Sequence, residues 1–125
     1  MSKMGIESVE KKPDYRIIET TRTGTYKAVA NITVPDGKLV IVAIDNSDTA
    51  IAQIKEYDGT AGDMIVGVIK ENAVAGENSV VVKRGKLNID TIDTSNISGL
   101  EDYEVFELLE HQNLFVEKIS ERQEF

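Results

Sequence analysis

The side chains that enzymes most often use for catalysis are scarce in this sequence of 125 residues. It contains no cysteine, which excludes disulfides, thiolate metal sites and cysteine nucleophiles. Its single histidine, His111, is expected in the last turn of a helix, where a cation interacts favourably with the helix C-terminus. No serine stands in a Gly-x-Ser-x-Gly nucleophile elbow. We therefore predict that the protein is not an enzyme and uses no metal or other cofactor.

Carboxylates are the remaining groups that could do chemistry. Asp58 and Asp63 flank the glycines of a predicted turn, and a hydrolase could use two such groups as acid and base. Glu104, Glu107 and Glu110 follow one stripe of a predicted helix, which is typical of a solvated face. A glycosidase would also need aromatic side chains that stack on sugar rings, and tryptophan is absent. We interpret Asp58 and Asp63 as caps of backbone N–H groups within the turn.

The charge of the chain argues against two classes of partner. The formal net charge is −8, and a protein of this sign repels phosphate backbones unless it concentrates its cations. Residues 97–125 hold eight acids and two bases and form an acidic face, which we interpret mainly as a source of solubility. The longest apolar runs have about six residues, whereas a membrane span needs roughly 20. We expect neither a nucleic-acid partner nor a membrane partner.

Three runs in the sequence are apolar on both faces of a strand, at residues 39–44, 64–69 and 80–82. A sheet with one wet face would instead alternate apolar and polar residues. These strands therefore need cover on both sides. A sandwich, a barrel or neighbouring subunits could each provide that cover.

The segments around these runs predict the other elements. Residues 25–34 alternate in the manner of a half-buried strand, and Pro35-Asp36-Gly37 predicts a tight turn that joins them to residues 39–44 in a hairpin. Residues 50–57 fit a strand or a short helix, and Arg84-Gly85-Lys86 interrupts a strand that begins at Ser79. Ser98 and Glu101 match a capping box before an amphipathic helix at 100–111, and a closing strand follows at 114–119.

The resulting fold class is mostly β (α+β), a small β-sandwich or barrel-like domain with one late amphipathic helix. Residues 1–14 have scattered charges and sustain neither a helical nor a strand period, so we interpret them as a flexible N-terminal arm. Residues 15–125 are predicted to form one domain, since a chain of this size is typical of a single compact unit.

Two stretches resemble a known family, Lys38-Leu39-Val40 and the segment 57–69, which reads Tyr-Asp-Gly-Thr-Ala-Gly-Asp-Met-Ile-Val-Gly-Val-Ile. This pattern is similar to the lambda-type head decoration proteins of tailed bacteriophages. In that family an aromatic-Asp-Gly-Thr turn and a small-residue loop lead into an apolar strand that contains a glycine, here Gly67. The late helix and closing strand also fit the family's order of elements. The chain differs in its predicted hairpin and in its lack of tryptophan.

The resemblance implies a homotrimer on the outer surface of the virion, at local three-fold axes between hexamers of the major capsid protein. The protein would be made in the host cytoplasm and would stabilise the shell against the pressure of packaged DNA. In the family the N-terminal arm becomes ordered on the capsid and pairs with its strands. The matching stretch here is 6–18. Its candidate capsid-binding residues are Ile6, Val9, Tyr15, Ile17 and Ile18.

A different class of function stays open, a small ligand- or sugar-binding β module of a bacterial surface system. Such a module needs an exposed aromatic platform. Beyond three phenylalanines, the candidates for it are the four tyrosines: Tyr15, Tyr26, Tyr57 and Tyr103.

Overall fold

A computed structural model describes residues 14–45 and 52–118 of the chain. Within these ranges the fold is mostly β with one α-helix, as the sequence predicts. The strands are β1 (Ile17–Ala28), β2 (Leu39–Asp45), β3 (Gln53–Glu56), β4 (Ile65–Ile69), β5 (Asn78–Asn88), β6 (Ile92–Asp93) and β7 (Leu114–Glu117). The helix α1 spans Asp102–His111, and a 3-10 turn at Ile89–Thr91 links β5 to β6.

Five of the strands close into a small barrel. The order β1-β3-β2-β4-β5 returns to β1, because β1 pairs in parallel with β3 and antiparallel with β5. Strand β7 extends the sheet in parallel from β5, and β6 adds to one end of β2. Closure leaves the central strands β2 and β4 paired along both edges, which satisfies backbone groups that an open sheet would expose.

Two apolar clusters account for the strands that lack polar residues. All five barrel strands contribute to an interior cluster that includes Ala28, Val42, Ile54 and Val81. The opposite faces of β2, β4 and β5 form a second cluster with α1 and β7. One chain therefore supplies most of the cover on both faces, and the exceptions are Met64 and Val80, which are 63% and 61% exposed.

The helix α1 covers the outer face of the barrel. Val105 and Leu109 are four residues apart on the buried side and have almost no solvent exposure. The predicted capping box of Ser98 and Glu101 is wrong, because the helix begins three residues later than that motif implies. Glu101 is the N-cap, and its backbone N–H donates to Oε1 of Glu104 at 2.8 Å. This bond satisfies one group at the helix N-terminus.

The predicted hairpin is also wrong. Strand β1 ends at Ala28, and β2 pairs with β3, β4 and β6 rather than with β1. The predicted turn does form, since the N–H of Lys38 donates to the carbonyl of Pro35 at 3.0 Å. Between Ala28 and that turn the chain crosses the barrel end, where Ile32 bridges to Ala73. Strand β1 pairs instead with β5 along nearly its whole length. The hydrogen bonds and contacts of this long pairing outweigh the local preference of the turn for a hairpin.

The remaining predictions concern strands β3, β5 and β7. Residues 53–56 are a strand, which settles half of the segment 50–57 that the sequence leaves open between helix and strand. The expected break at Gly85 is absent from β5, which runs through it with the glycine at φ 149° and against the Glu19 carbonyl of β1. A side chain at this position would be strained and obstructed. The predicted closing strand forms over Leu114–Glu117.

Candidate functional site

The turn that carries the family resemblance is organised by Asp58. Its Oδ1 accepts hydrogen bonds from the backbone N–H of Thr60 at 3.0 Å and from the Thr60 hydroxyl at 2.7 Å. These bonds, that of the hydroxyl first, hold the pKa of the Asp58 carboxyl below its usual range. The interpretation of Asp58 as a backbone cap is confirmed.

Asp63 has a different role from the predicted one. Its Oδ2 lies 3.1 Å from Nζ of Lys55 on β3, so the carboxylate forms an ion pair across the barrel surface. The hydrogen bond with Asp63 raises the pKa of Lys55. The Asp58 carboxylate thus binds Thr60 within the turn, and the Asp63 carboxylate binds Lys55. The two carboxylates are not arranged as an acid–base pair.

A groove of 460 Å³ lies between this turn and the helix. Tyr57 and Ile65 line it from the barrel side, and Leu108 and His111 line it from α1. His111 is the last helical residue and is exposed, as the sequence predicts. Among the described residues, no group of three or more His, Cys, Asp or Glu side chains could hold a metal ion.

The tyrosines do not form an aromatic platform at this groove. Tyr57 is 4% exposed, and its burial raises the pKa of its hydroxyl. Tyr26 is partly buried beneath Lys83, whose Nζ lies 5.5 Å from the ring centre. Tyr15 and Tyr103 are exposed, but neither lines the groove.

The candidate capsid-binding residues fall in three different places. Ile6 and Val9 lie outside the described residues. Tyr15 and Ile18 expose their side chains, at 53% and 39%. Ile17 is the first residue of β1, pairs with Leu87 and packs against the helix-side cluster. The structure therefore incorporates Ile17 into the barrel domain and leaves Tyr15 and Ile18 at its surface.

Arg16 anchors the start of the described domain. Its guanidinium donates to the backbone carbonyls of Lys38 and Lys70, at 2.9 Å each. It also forms an ion pair with Asp14 at 2.9 Å, and its hydrogen bond lowers the pKa of that carboxyl. This role is not visible in the sequence, because both carbonyls come from residues distant in the chain. Lys38 directly precedes β2, and Lys70 directly follows β4.

Among the described residues, no helix is long and apolar enough to cross a lipid bilayer. No family model matches the chain, and no curated protein matches it at a significant level.

Proposed function

We propose that this chain is a capsid decoration protein, which binds the outer surface of a phage head as a trimer and stabilises the shell. The observation that carries this proposal is the segment 57–69, where the sequence resembles the lambda-type decoration family. In the structure this segment is a turn ordered by Asp58, followed by a fully buried strand. Gly67 within that strand lies directly against the Val82 carbonyl, so the glycine of the pattern has a packing role.

The start of the domain supports a role for the preceding arm. Arg16 anchors the chain to two carbonyls just where residues 1–13 would leave the barrel. An arm with apolar residues such as Ile6 and Val9 can add a strand to an exposed sheet edge and gain main-chain hydrogen bonds there. Several such contacts from one trimer would sum through effective concentration, so each could be weak by itself.

The trimer is supported mainly by the resemblance, since the barrel interior and the helix cover the apolar strands at all positions except Met64 and Val80. Subunit contacts would therefore use residues at the surface of the barrel. Within residues 14–45 and 52–118, the exposed large apolar side chains are Tyr15, Ile18, Met64, Val74, Val80, Tyr103 and Phe115. The proposed role needs no catalytic group and no cofactor, and its partners are the major capsid protein and two further copies of the chain.

The test is binding to expanded phage heads by the full chain and by a variant that lacks residues 1–13. The truncation retains Arg16 and Asp14, so the anchored start of the domain is preserved. We expect the truncated protein to fold and to form the same oligomer in light scattering, while its binding to heads falls at least tenfold. Glu107→Gln, a change at an exposed polar residue on the helix, serves as the matched control and should bind as the full chain does.

Equal binding by the truncated and full-length proteins would refute the role of the arm. Failure of the full chain to bind any expanded head would refute the decoration function itself. The alternative, a sugar- or ligand-binding module, has less support because Tyr57 is buried and Tyr26 is partly covered. Thermal-shift screening of the full chain against glycans and metabolites tests it, and a flat response would count against it.

A further inference from the structure

A group of cations converges at the junction of β1, β5 and the end of α1. Arg22 on β1 is the direct register partner of Arg84 on β5. Arg22, Arg84 and Lys83 line one pocket of 340 Å³, together with His111, Gln112 and Asn113 at the end of the helix. Like charges placed opposite each other on paired strands destabilise the pair. This arrangement therefore carries a cost in the free protein.

No described residue neutralises the two arginines. The ion pairs within residues 14–45 and 52–118 involve Arg16, Lys55, Lys86 and Lys118, and none of them reaches Arg22 or Arg84. Lys83 contacts the Tyr26 ring rather than a carboxylate. The cluster is unusual for a chain with a net charge of −8, in which acidic side chains outnumber basic ones.

A second groove, of 320 Å³, continues from this pocket along the same strand pair. The two share Arg84 and Asn113, and the second is lined also by Thr21, Lys86 and the exposed ring of Phe115. The strip is not uniformly basic, since Glu19 lines the second groove and Glu117 lies 3.8 Å from Lys86. The strip has cationic groups at one end and an exposed aromatic ring at the other. This arrangement suits an extended polypeptide better than a single small ion.

We propose that this strip, called the Arg22–Arg84 strip below, binds an acidic polypeptide segment of a partner protein. Two carboxylates of the segment would each accept a pair of hydrogen bonds from one guanidinium, a geometry that arginine forms well. An apolar side chain of the same segment would pack on Phe115. Binding would also remove the repulsion between the opposed arginines. This site exists whether or not the chain decorates a capsid.

The experiment uses the full chain, isotope-labelled for NMR, and a soluble eight-residue peptide with alternating Glu and Leu-or-Ala residues. A peptide with Gln in place of each Glu is the matched control ligand, and tripolyphosphate is the small-ion probe. We expect the acidic peptide to shift the amide signals of Arg22, Arg84 and Asn113, and to bind at least tenfold more weakly at 300 mM salt than at 20 mM salt. The Gln peptide should produce no saturable shifts.

The double variant Arg22→Gln with Arg84→Gln should bind the acidic peptide at least tenfold more weakly than the full chain. Its melting temperature should be unchanged or higher, because the substitution removes two opposed charges. Lys27→Gln, on the same strand but outside the strip, is the matched control and should bind normally. Equal binding by the double variant, or shifts confined to other surfaces, would overturn the proposal.

Two other results would also overturn it. Saturable binding of tripolyphosphate without binding of the acidic peptide would identify a small-oxyanion site. Binding of the peptide only after removal of residues 119–125, which include Glu121 and Glu124, would identify the chain's own C-terminal segment as the occupant.

Discussion

Gly67 on β4 lies directly against the backbone carbonyl of Val82 on β5, so closely that a Cβ atom on the glycine would collide with that oxygen. The carbonyl belongs to a barrel strand and cannot move without disturbing its pairing. A backbone neighbour yields far less readily than the end of a flexible side chain. The glycine is therefore required by the approach of two strands rather than by an unusual backbone angle.

We expect Gly67→Ala to lower the free energy of unfolding by about 1–3 kcal/mol, the usual cost of overpacking a core. Urea unfolding followed by circular dichroism measures this. The control is Gly24→Ala on β1, where the new Cβ would meet the aliphatic chain of Lys83 and the Tyr26 ring. These side chains can shift, so the control should lose less stability. Similar losses for both variants would contradict the proposed cause.

Leu109 tests the cover that α1 gives the barrel. This residue is fully buried in the helix-side cluster. Leu109→Ala should lower the free energy of unfolding by about 2–5 kcal/mol, because it removes apolar contacts and leaves a cavity. Tyr103→Ala changes an exposed residue of the same helix and should alter stability by about 0.5 kcal/mol or less. If the two losses were alike, the helix would not pack as described.

Arg16 links the start of the domain to two carbonyls, and its replacement tests that link. Arg16→Gln removes the ion pair with Asp14 and at least one carbonyl contact. We expect a loss of about 1.5–3 kcal/mol, the range for hydrogen bonds to charged groups. Hydrogen exchange at residues 16–20 should also become faster. Arg22→Gln is the control, since Arg22 forms no ion pair with a described residue, and it should not destabilise the domain.

The Asp58 turn predicts a dependence of stability on pH. The hydrogen bonds from Thr60 lower the pKa of Asp58 in the folded state below its ordinary value of 3.8. A depressed pKa stabilises the folded state above the unfolded pKa, and this stabilisation is lost as the pH falls through the folded pKa. Asp58→Ala should therefore be less stable than the original chain at pH 6, with a smaller difference at pH 2.

Two measurements test this prediction. NMR titration of the Asp58 carboxyl carbon should give a midpoint below 3.8. Thr60→Val removes the hydroxyl donor that lowers the pKa most and should move the midpoint upwards. A midpoint unaffected by Thr60→Val would show that the hydroxyl bond does not cause the shift.

Several elements could be predicted because their signals are local. Apolar residues at helical spacing predict the helix. The prediction of its N-cap is wrong because Glu101 lies three residues after Ser98 and three residues before Glu104. Glu101 therefore fits the spacing of a capping box either as its last residue or as its first. The strand at Ile65–Ile69 was recognised as apolar on both faces, and the Asp58 turn from its glycines. In each case neighbours within a few residues determine the conformation, so the pattern is visible along the chain.

Pairing between distant segments was not predictable in this way. The turn at 35–38 forms, yet β1 pairs with β5, because a long antiparallel ladder contributes more than one turn can. The cover of the apolar strands could equally have come from other subunits, and closure of the barrel decided that one chain supplies it at all positions except Met64 and Val80. The roles of Arg16 and of the Arg22–Arg84 strip depend on the same long-range register.

By itself, then, the sequence determined the class of fold, the late helix, the ordered turn and the absence of cysteine chemistry. The tertiary structure alone decided which strands are neighbours, which arginine anchors the domain and where two cations are placed face to face. The physical reason is that hydrophobic period and turn chemistry act over a few residues. The choice of partner strand is instead determined by contacts between residues tens of positions apart, such as those of β1 with β5, and a local pattern does not specify that partner.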